Sequence, residues 1–398
     1  MFSFITKLKR KQGTLGIEIS DRSIKLAEIV PLGNHKYSLE KFLIESLPDQ
    51  VVDDGRIKDP IQVVRILQNM MAKLNVTSKH VHLILPSQSI MVRFLKLPDI
   101  PLKDLRKLVE FEMKFNIHLP FDAPVFDFVK LNGNLNASAS KPERKKKTKV
   151  GKKKANQNKF SQVDRAQQEA AAATSSSELD KLFANTEADK EITVSSNQCD
   201  VMLVAAPTEL IQEYEAVVTS ASLKPLSMEF KALALYRLME LTQMTDLKST
   251  LMTIDINELV TDVSIFHDQQ LKITRSMPMD FGVKSEDDDA SATDRMFLEF
   301  IDVDENFKNS CKDLSSEIER LLNFYRYTLN NRNQEFSHIF ISGDAERLTE
   351  IAQILAERLP GEISVMSTDR IQSSQANFSE AFPSLAVSIG LALRGNER

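Results

Sequence analysis

The chain has 398 residues, 42% hydrophobic and 27% charged with a net charge of −5, ordinary values for a globular protein with length for two or three cored domains. No window approaches the roughly 18 consecutive apolar residues of a membrane span, the N-terminus lacks the apolar core and cleavage site of a secretory signal, and no His, Cys and carboxylate cluster has zinc spacing. Its two cysteines, Cys199 and Cys311, lack metal spacing and are expected as thiols in the reducing cytoplasm.

The first eleven residues put Phe4, Ile5 and Leu8 on one helical face among Lys7, Lys9, Arg10 and Lys11. That composition suits an anionic membrane surface and equally a frayed, soluble terminus. Thr14 to Ile19 and Tyr37 to Ile44 read as strands. From Pro60 to Leu74 apolar residues recur at helical spacing, with Asp59-Pro60 as cap and first turn. His80–Leu85 and Ile90–Leu95 are further strands, Leu102–Phe115 an amphipathic helix, and Val125–Val129 a strand.

Residues 135–195 differ from their surroundings. Between Lys141 and Lys154 there are nine Lys or Arg and one Glu, a local charge of +8 that leaves −13 for the remainder. Apolar residues are too sparse to offset the entropy of ordering, so a disordered polybasic insertion is expected. Its lysines suit acidic lipid or a solvated tether; without interleaved aromatics they do not predict nucleic-acid binding. Within it, Ser177-Glu-Leu-Asp-Lys-Leu-Phe183 is a short amphipathic island that could dock to a partner.

Beyond the insertion, Val201–Ala205 reads as a buried strand, Glu209–Ala221 and Met228–Leu241 as helices, and Thr250–Ile256 as a buried strand. Val263–Ile273 forms strands around the turn His267-Asp268-Gln269. Leu314–Leu329 is a long helix, Ser337–Ile341 a strand, and Glu346–Leu359 a helix. Such alternation predicts an α/β protein with partly parallel sheets.

One local plan occurs twice. In Gly16-Ile-Glu-Ile-Ser-Asp-Arg-Ser-Ile-Lys-Leu-Ala-Glu28 and in Leu251-Met-Thr-Ile-Asp-Ile-Asn-Glu-Leu-Val-Thr-Asp-Val-Ser-Ile265, an apolar strand ends in an acid, turns, and continues as a second strand. Glu18 and Asp255 hold matched positions. A two-lobed ATP-binding fold needs such a hairpin at the start of each half: turn amides approach phosphate oxygens and the strand-end acids, Glu18 and Asp255, hold Mg²⁺ through water. A third piece, Ile339-Phe-Ile-Ser-Gly-Asp-Ala345, runs a strand into a glycine turn suited to passing beneath a nucleoside.

The sequence resembles the PilM family, actin-like proteins of type IV pilus assembly and relatives of the division protein FtsA. The stretch Leu97-Pro-Asp-Ile-Pro-Leu-Lys-Asp-Leu-Arg-Lys-Leu-Val-Glu-Phe-Glu-Met-Lys-Phe-Asn-Ile-His-Leu-Pro-Phe-Asp122 carries most of the likeness. Val201-Met-Leu-Val-Ala-Ala-Pro207, Ser222-Leu-Lys-Pro225 and the ending Leu385-Ala-Val-Ser-Ile-Gly-Leu-Ala-Leu-Arg-Gly395 support it. The resemblance implies a two-lobed, ribonuclease H-like duplicated α/β fold with a small inserted α+β subdomain. Residues 13–91 and 223–249 would form lobe I, 250–380 lobe II, 92–222 the inserted subdomain, and 381–398 a helix returning to lobe I. It also implies ATP with Mg²⁺ between the lobes, contacted by Glu18, Ser20, Ser23, Lys25, Asp255, Asn257, Ser342, Gly343 and Asp344, with Glu317 and Arg320 flanking the nucleoside. Lys25, Glu317 and Arg320 read as well as ordinary solvated residues.

The implied function is a cytoplasmic scaffold at the inner membrane that binds the N-terminal peptide of a PilN-like membrane protein and other pilus assembly proteins, with an oligomer possible. Departures concern the nucleotide. Ser20 stands where the family has glycine, Glu18 is longer than its usual Asp, Asn257 replaces a second glycine, and Asp344 a third. ATP binding and its absence therefore both stay open, and hydrolysis is not expected. Two other readings are an ATP-using enzyme of the sugar-kinase fold, for which no candidate base stands near the cleft, and an FtsA-like filament protein, whose C-terminal membrane helix is missing from Leu385–Arg398.

Overall fold

The computed structural model describes residues 13–76, 78–131, 198–281, 303–332 and 334–396. The expectations for the first eleven residues, the 135–195 insertion and its 177–183 island lie outside them.

The first strands are β1 (Thr14–Ile19), β2 (Ser23–Gly33) and β3 (Lys36–Ser46), followed by the short pair β4 (Val52–Asp53) and β5 (Arg56–Ile57). Helix α1 (Pro60–Leu74) starts where Asp59 accepts the Gln62 N–H at 3.0 Å with Pro60 in the first turn, a cap that satisfies an amide no helical carbonyl can reach. It buries Val63, Leu67 and Met70, whereas Ile61 is exposed. Strand β6 (His80–Ile84) leads to β7 (Met91–Pro98), α2 (Leu102–Phe115), β8 (Pro124–Lys130) and β9 (Gln198–Pro207). Then come α3 (Thr208–Ser220), β10 (Lys224–Glu229) and α4 (Lys231–Thr242).

The second half carries β11 (Thr250–Ile256), β12 (Val260–His267), β13 (Gln270–Pro278), α5 (Val303–Asn323), β14 (Phe336–Ser342), α6 (Leu348–Ala356), β15 (Glu362–Val365), β16 (Ile371–Gln372) and α7 (Phe378–Leu393). Two sheets repeat one plan. In the order β10-β6-β1-β2-β3-β16, β1 to β3 form an antiparallel meander and β6 and β10 run parallel beside β1. In the order β13-β12-β11-β14-β15, β11 to β13 form the meander and β14 and β15 the parallel pair. This is the duplicated, two-lobed α/β architecture the repeated hairpin predicts. A separate sheet, β7-β9-β8, with α2 packed on it, is inserted between β6 and β10. Helix α3 joins the first lobe, burying Leu210, Tyr214, Val217 and Val218 in the core that also holds α1.

Helix α7 closes the molecule. It lies against β1, β2, β6 and α4 of the first lobe and touches β14 of the second. Two glycines permit that approach: a Cβ on Gly16 would lie 1.9 Å from the Ser388 carbonyl oxygen, and one on Gly390 would lie 2.1 Å from that of Ala234. Beneath it the salt bridge from Arg237 to Glu229 is 2.8 Å, and Arg237 also donates to the Gly390 carbonyl at 3.0 Å.

Two helices differ from expectation. The segment from Met228 begins as the end of β10, so its helix starts only at Lys231. The long helix near Leu314 begins at Val303 and passes into a π-helical turn at Phe324–Thr328.

Candidate functional site

The first hairpin pairs Glu18 on β1 with Lys25 on β2, and the second pairs Asp255 on β11 with Asp262 on β12. Asp262 is therefore the counterpart of Lys25. All four side chains are buried, and Glu18 and Asp262 line the space between the lobes. Lys231, at the first turn of α4, enters the same space. Its Nζ lies 2.8 Å from Asp255, 3.1 Å from Asp262 and 3.5 Å from Glu18. The Lys25 Nζ lies 2.8 Å from Asp344, beyond the end of β14, 3.6 Å from Glu18 and 3.4 Å from the Asn257 side-chain oxygen Oδ1. Each ammonium thus lies within 3.6 Å of three side-chain oxygens. Asn257 Nδ2 and Ser342 Oγ donate to the two oxygens of Asp255 at 2.8 and 2.7 Å.

Electrostatics follow from burial and pairing. Burial alone would lift Asp255, but Lys231 and Lys25 with two hydrogen bonds hold it at about 2. Burial would push both lysines down, yet the surrounding carboxylates outweigh it and hold Lys231 well above, and Lys25 above, the ordinary ammonium value. Glu18 is raised, because burial outweighs its more distant lysines and no donor reaches either of its oxygens. At the cleft mouth Arg22 on the first hairpin lies 3.2 Å from Glu258 on the second.

A family model described as "Type IV pilus assembly protein PilM" matches residues 16–194 and 178–396. The chain belongs to the PilM family. Among solved structures, the PilM–PilN type IV pilus biogenesis complex superposes at a TM-score of 0.68 and 18% identity, covering 97% of this chain and 99% of that one. The likeness shows the actin-like fold. The ethanolamine utilization protein EutJ from Carboxydothermus hydrogenoformans matches at TM-score 0.44 and 11% identity, over 96% and 89% of the two chains. The cytoplasmic domain of EpsL, an inner-membrane component of the Vibrio cholerae type II secretion system, matches at 0.40 and 6%, over 97% and 96%. No curated protein shows significant sequence similarity to the chain.

Within this PilM-family chain, the structure gathers Glu18, Ser23, Lys25, Asp255, Asn257, Ser342 and Asp344 into one cluster, with Ser20 on the cleft wall. Ser23 Oγ donates to Asp344 at 3.3 Å. Gly343 has φ of 116°, and a Cβ there would lie 1.9 Å from the Ile256 carbonyl oxygen, so packing between β14 and β11 already requires glycine. Glu317 and Arg320 pair with each other on α5 and are not among the residues lining the cleft. Sequence reasoning misses Lys231 and Asp262. Asp262 was findable from the hairpin repeat, being the position that pairs with the strand-end acid. Lys231 carries no local signal.

The arrangement does not fit a magnesium–nucleotide pair. Ser20 Oγ accepts the Ser23 N–H at 3.1 Å, and the Ser20 and Asn257 amides donate to Ser23 and Val260 carbonyls at 2.9 and 3.0 Å, so these turn amides are engaged within their own hairpins. Asp344 occupies the Lys25 ammonium that a phosphate would need. Lys231 stands among the acids that would share a metal, and among the described residues no three His, Cys, Asp or Glu side chains form a metal-holding group. The space left between the lobes here is about 50 Å³, against roughly 300 Å³ for the smallest usual ligand pockets.

A second concavity, of about 430 Å³, lies between the inserted sheet and the second lobe. Its walls include the consecutive residues Met91, Val92 and Arg93 of β7 and Thr274, Arg275 and Ser276 of β13. Successive strand residues point to opposite faces, so three in a row lining one groove means that the strand edge itself borders it. Among the described residues both are edge strands: β7 pairs only with β9, and β13 only with β12.

Proposed function

We propose that this chain is a non-enzymatic scaffold of type IV pilus assembly, peripheral to the inner membrane, that binds the cytoplasmic N-terminal peptide of a PilN-like membrane protein. The observation that carries the partner reading is the groove between two strand edges that no described strand pairs. An extended peptide laid there gains main-chain hydrogen bonds from β7 or β13, the mode by which sheet edges take up strands. Ile90, Met91, Val92 and Phe230 supply apolar wall, and Arg93, Arg275 and His118 supply donors for peptide carbonyl or carboxylate oxygens. The solved PilM–PilN complex, similar over nearly the whole chain, supports the same reading. In this reading, residues 13–91 and 223–249 act as lobe I and 250–380 as lobe II, apart from β16, which pairs with β3 of lobe I, with 92–222 inserted, α3 lending its buried face to lobe I, and 381–398 returning to it. Among the described residues no helix is long and apolar enough to cross a membrane; in this reading the partner provides an attachment to the membrane.

The test is a fluorescence-anisotropy titration of that N-terminal peptide, taken from the same organism, against the full chain. Arg93 and Arg275 are exposed, so Arg93→Glu and Arg275→Glu leave folding intact. Each is expected to weaken binding about tenfold or more, equivalent to about 1.4 kcal/mol. Affinity unchanged in both variants would place the peptide elsewhere.

A further inference from the structure

We propose that Lys231 and Lys25 are resident cations of the interlobe cleft: their ammonium groups take the parts that a divalent metal and a bound nucleotide's counter-charge would otherwise require, so the two lobes are joined without either. The argument begins with cation placement. To serve acids from both lobes at once, a cation must lie between the ends of β1 and β11. The Lys231 Nζ lies there, within 3.5 Å of Glu18 from the first lobe and of Asp255 and Asp262 from the second. It is tethered to the first turn of α4 and buried, so it cannot exchange with solvent ions as a bound metal would.

Lys25 completes the arrangement in the opposite direction. It rises from the first lobe and reaches Asp344 and Asn257, both of the second. Where a phosphate would bring negative charge to this lysine, the chain supplies its own carboxylate. Two ammonium groups among Glu18, Asp255, Asp262 and Asp344 leave the cleft negative, which opposes a triphosphate. The oxygens of Glu18 and Asp262 without a protein donor face a small, open-sided space of about 50 Å³, which has room for water and is far below the roughly 300 Å³ of the smallest usual ligand pockets. The consequence is functional: the closed disposition of the lobes is a fixed property of this chain, not a state that nucleotide controls. This inference stands independently of the peptide groove.

The melting temperature of the full chain tests it. A ligand that binds the folded state, supplied far above its dissociation constant, raises stability. The wild type is expected to melt at the same temperature in EDTA, in about 10 mM Mg²⁺ and in about 5 mM Mg-ATP. Lys231→Ala is expected to melt lower in EDTA and to recover part of the loss when Mg²⁺ or Mn²⁺ is added, because carboxylates released from the ammonium can take up a metal. Lys231→Arg, which keeps a cation, is expected to ignore the metals. A rise in the wild-type melting temperature with Mg²⁺ or Mg-ATP overturns the proposal, and so does a folded Lys231→Ala indifferent to both metals. Should Lys231→Ala not fold, the wild-type comparison alone decides.

Discussion

At Gly16 the cost of a single methyl group can be read from geometry. The atom it would strike, the Ser388 carbonyl oxygen at 1.9 Å, is backbone inside α7 and cannot swing aside. Gly16→Ala is expected to destabilise the fold by about 3 kcal/mol or more, the upper range for overpacking, measured as a lower urea midpoint. Lys25→Met tests pairing instead of packing. It leaves Glu18 and Asp344 facing each other without their shared cation, and breaking a buried pair costs about 3–5 kcal/mol. A loss under about 1 kcal/mol would mean that the pair is solvated as a surface bridge is. The same cluster shows what a sequence reveals at this scale. Glu18, Asp255 and Lys25 are legible because an acid ending an apolar strand is unusual and occurs twice. Lys231 is illegible, since a lone lysine opening an apolar helix looks like any solvated first turn, and only the tertiary fold turns it inward.

Elements were legible where one face is buried and periodic. Helix α1 announces itself by its cap and spacing, and the β12–β13 hairpin by its polar turn, in which Asp268 and Gln269 take the left-handed backbone that two-residue hairpins need. Strand β10 was not, because Pro225 and Ser227 interrupt its apolar pattern and Met228 and Glu229 resemble a helix start. The first turns of α5 were missed although Phe307, Cys311, Leu314 and Ile318, all buried, already hold the i, i+4, i+7 spacing, because Cys311 reads as a neutral position. At the β14–β15 edge, a titration probes local structure. His338 stacks on Phe340 and its Nε2 bonds the Ser364 hydroxyl at 2.7 Å. Burial holds it below its ordinary value of 6.5, against the pull of Glu362. A lowered folded value means that the neutral ring is favoured on folding, so this contribution is present above pH 6.5 and lost as pH falls below it. His338→Gln should therefore flatten the decline in urea midpoint between about pH 7 and pH 5. An unchanged slope would assign the decline to other groups.

For the molecule as a whole, the repeat of one sheet plan in two lobes makes a shared core possible, and the fold uses it. Ala27, Leu39 and Leu385 pack in the same cluster as Leu251, Phe266 and Phe340, so residues of both lobes bury one another. The inserted sheet lends Met202 to that cluster, but on its α2 side it has a small core of its own, built from Leu97, Leu105, Val109, Met113, Val201 and Leu203. Cooperative units with less buried apolar surface open at lower free energy. The two cysteines report on this difference without any engineering. Cys199 is buried in the small core and Cys311 in the second lobe; burial raises the Cys199 thiol and pushes Cys311 up to about 11. Neither should react with a thiol reagent in the native protein, because the thiolate is the nucleophile. In increasing urea, Cys199 is expected to become reactive first, at a concentration where Cys311 stays protected, followed by Cys311 with the main transition. Simultaneous exposure of both thiols would show that the inserted sheet is held to the lobes as tightly as they are held to each other, and the groove between β7 and β13 would then be a rigid slot instead of one whose inserted wall can yield to an incoming strand.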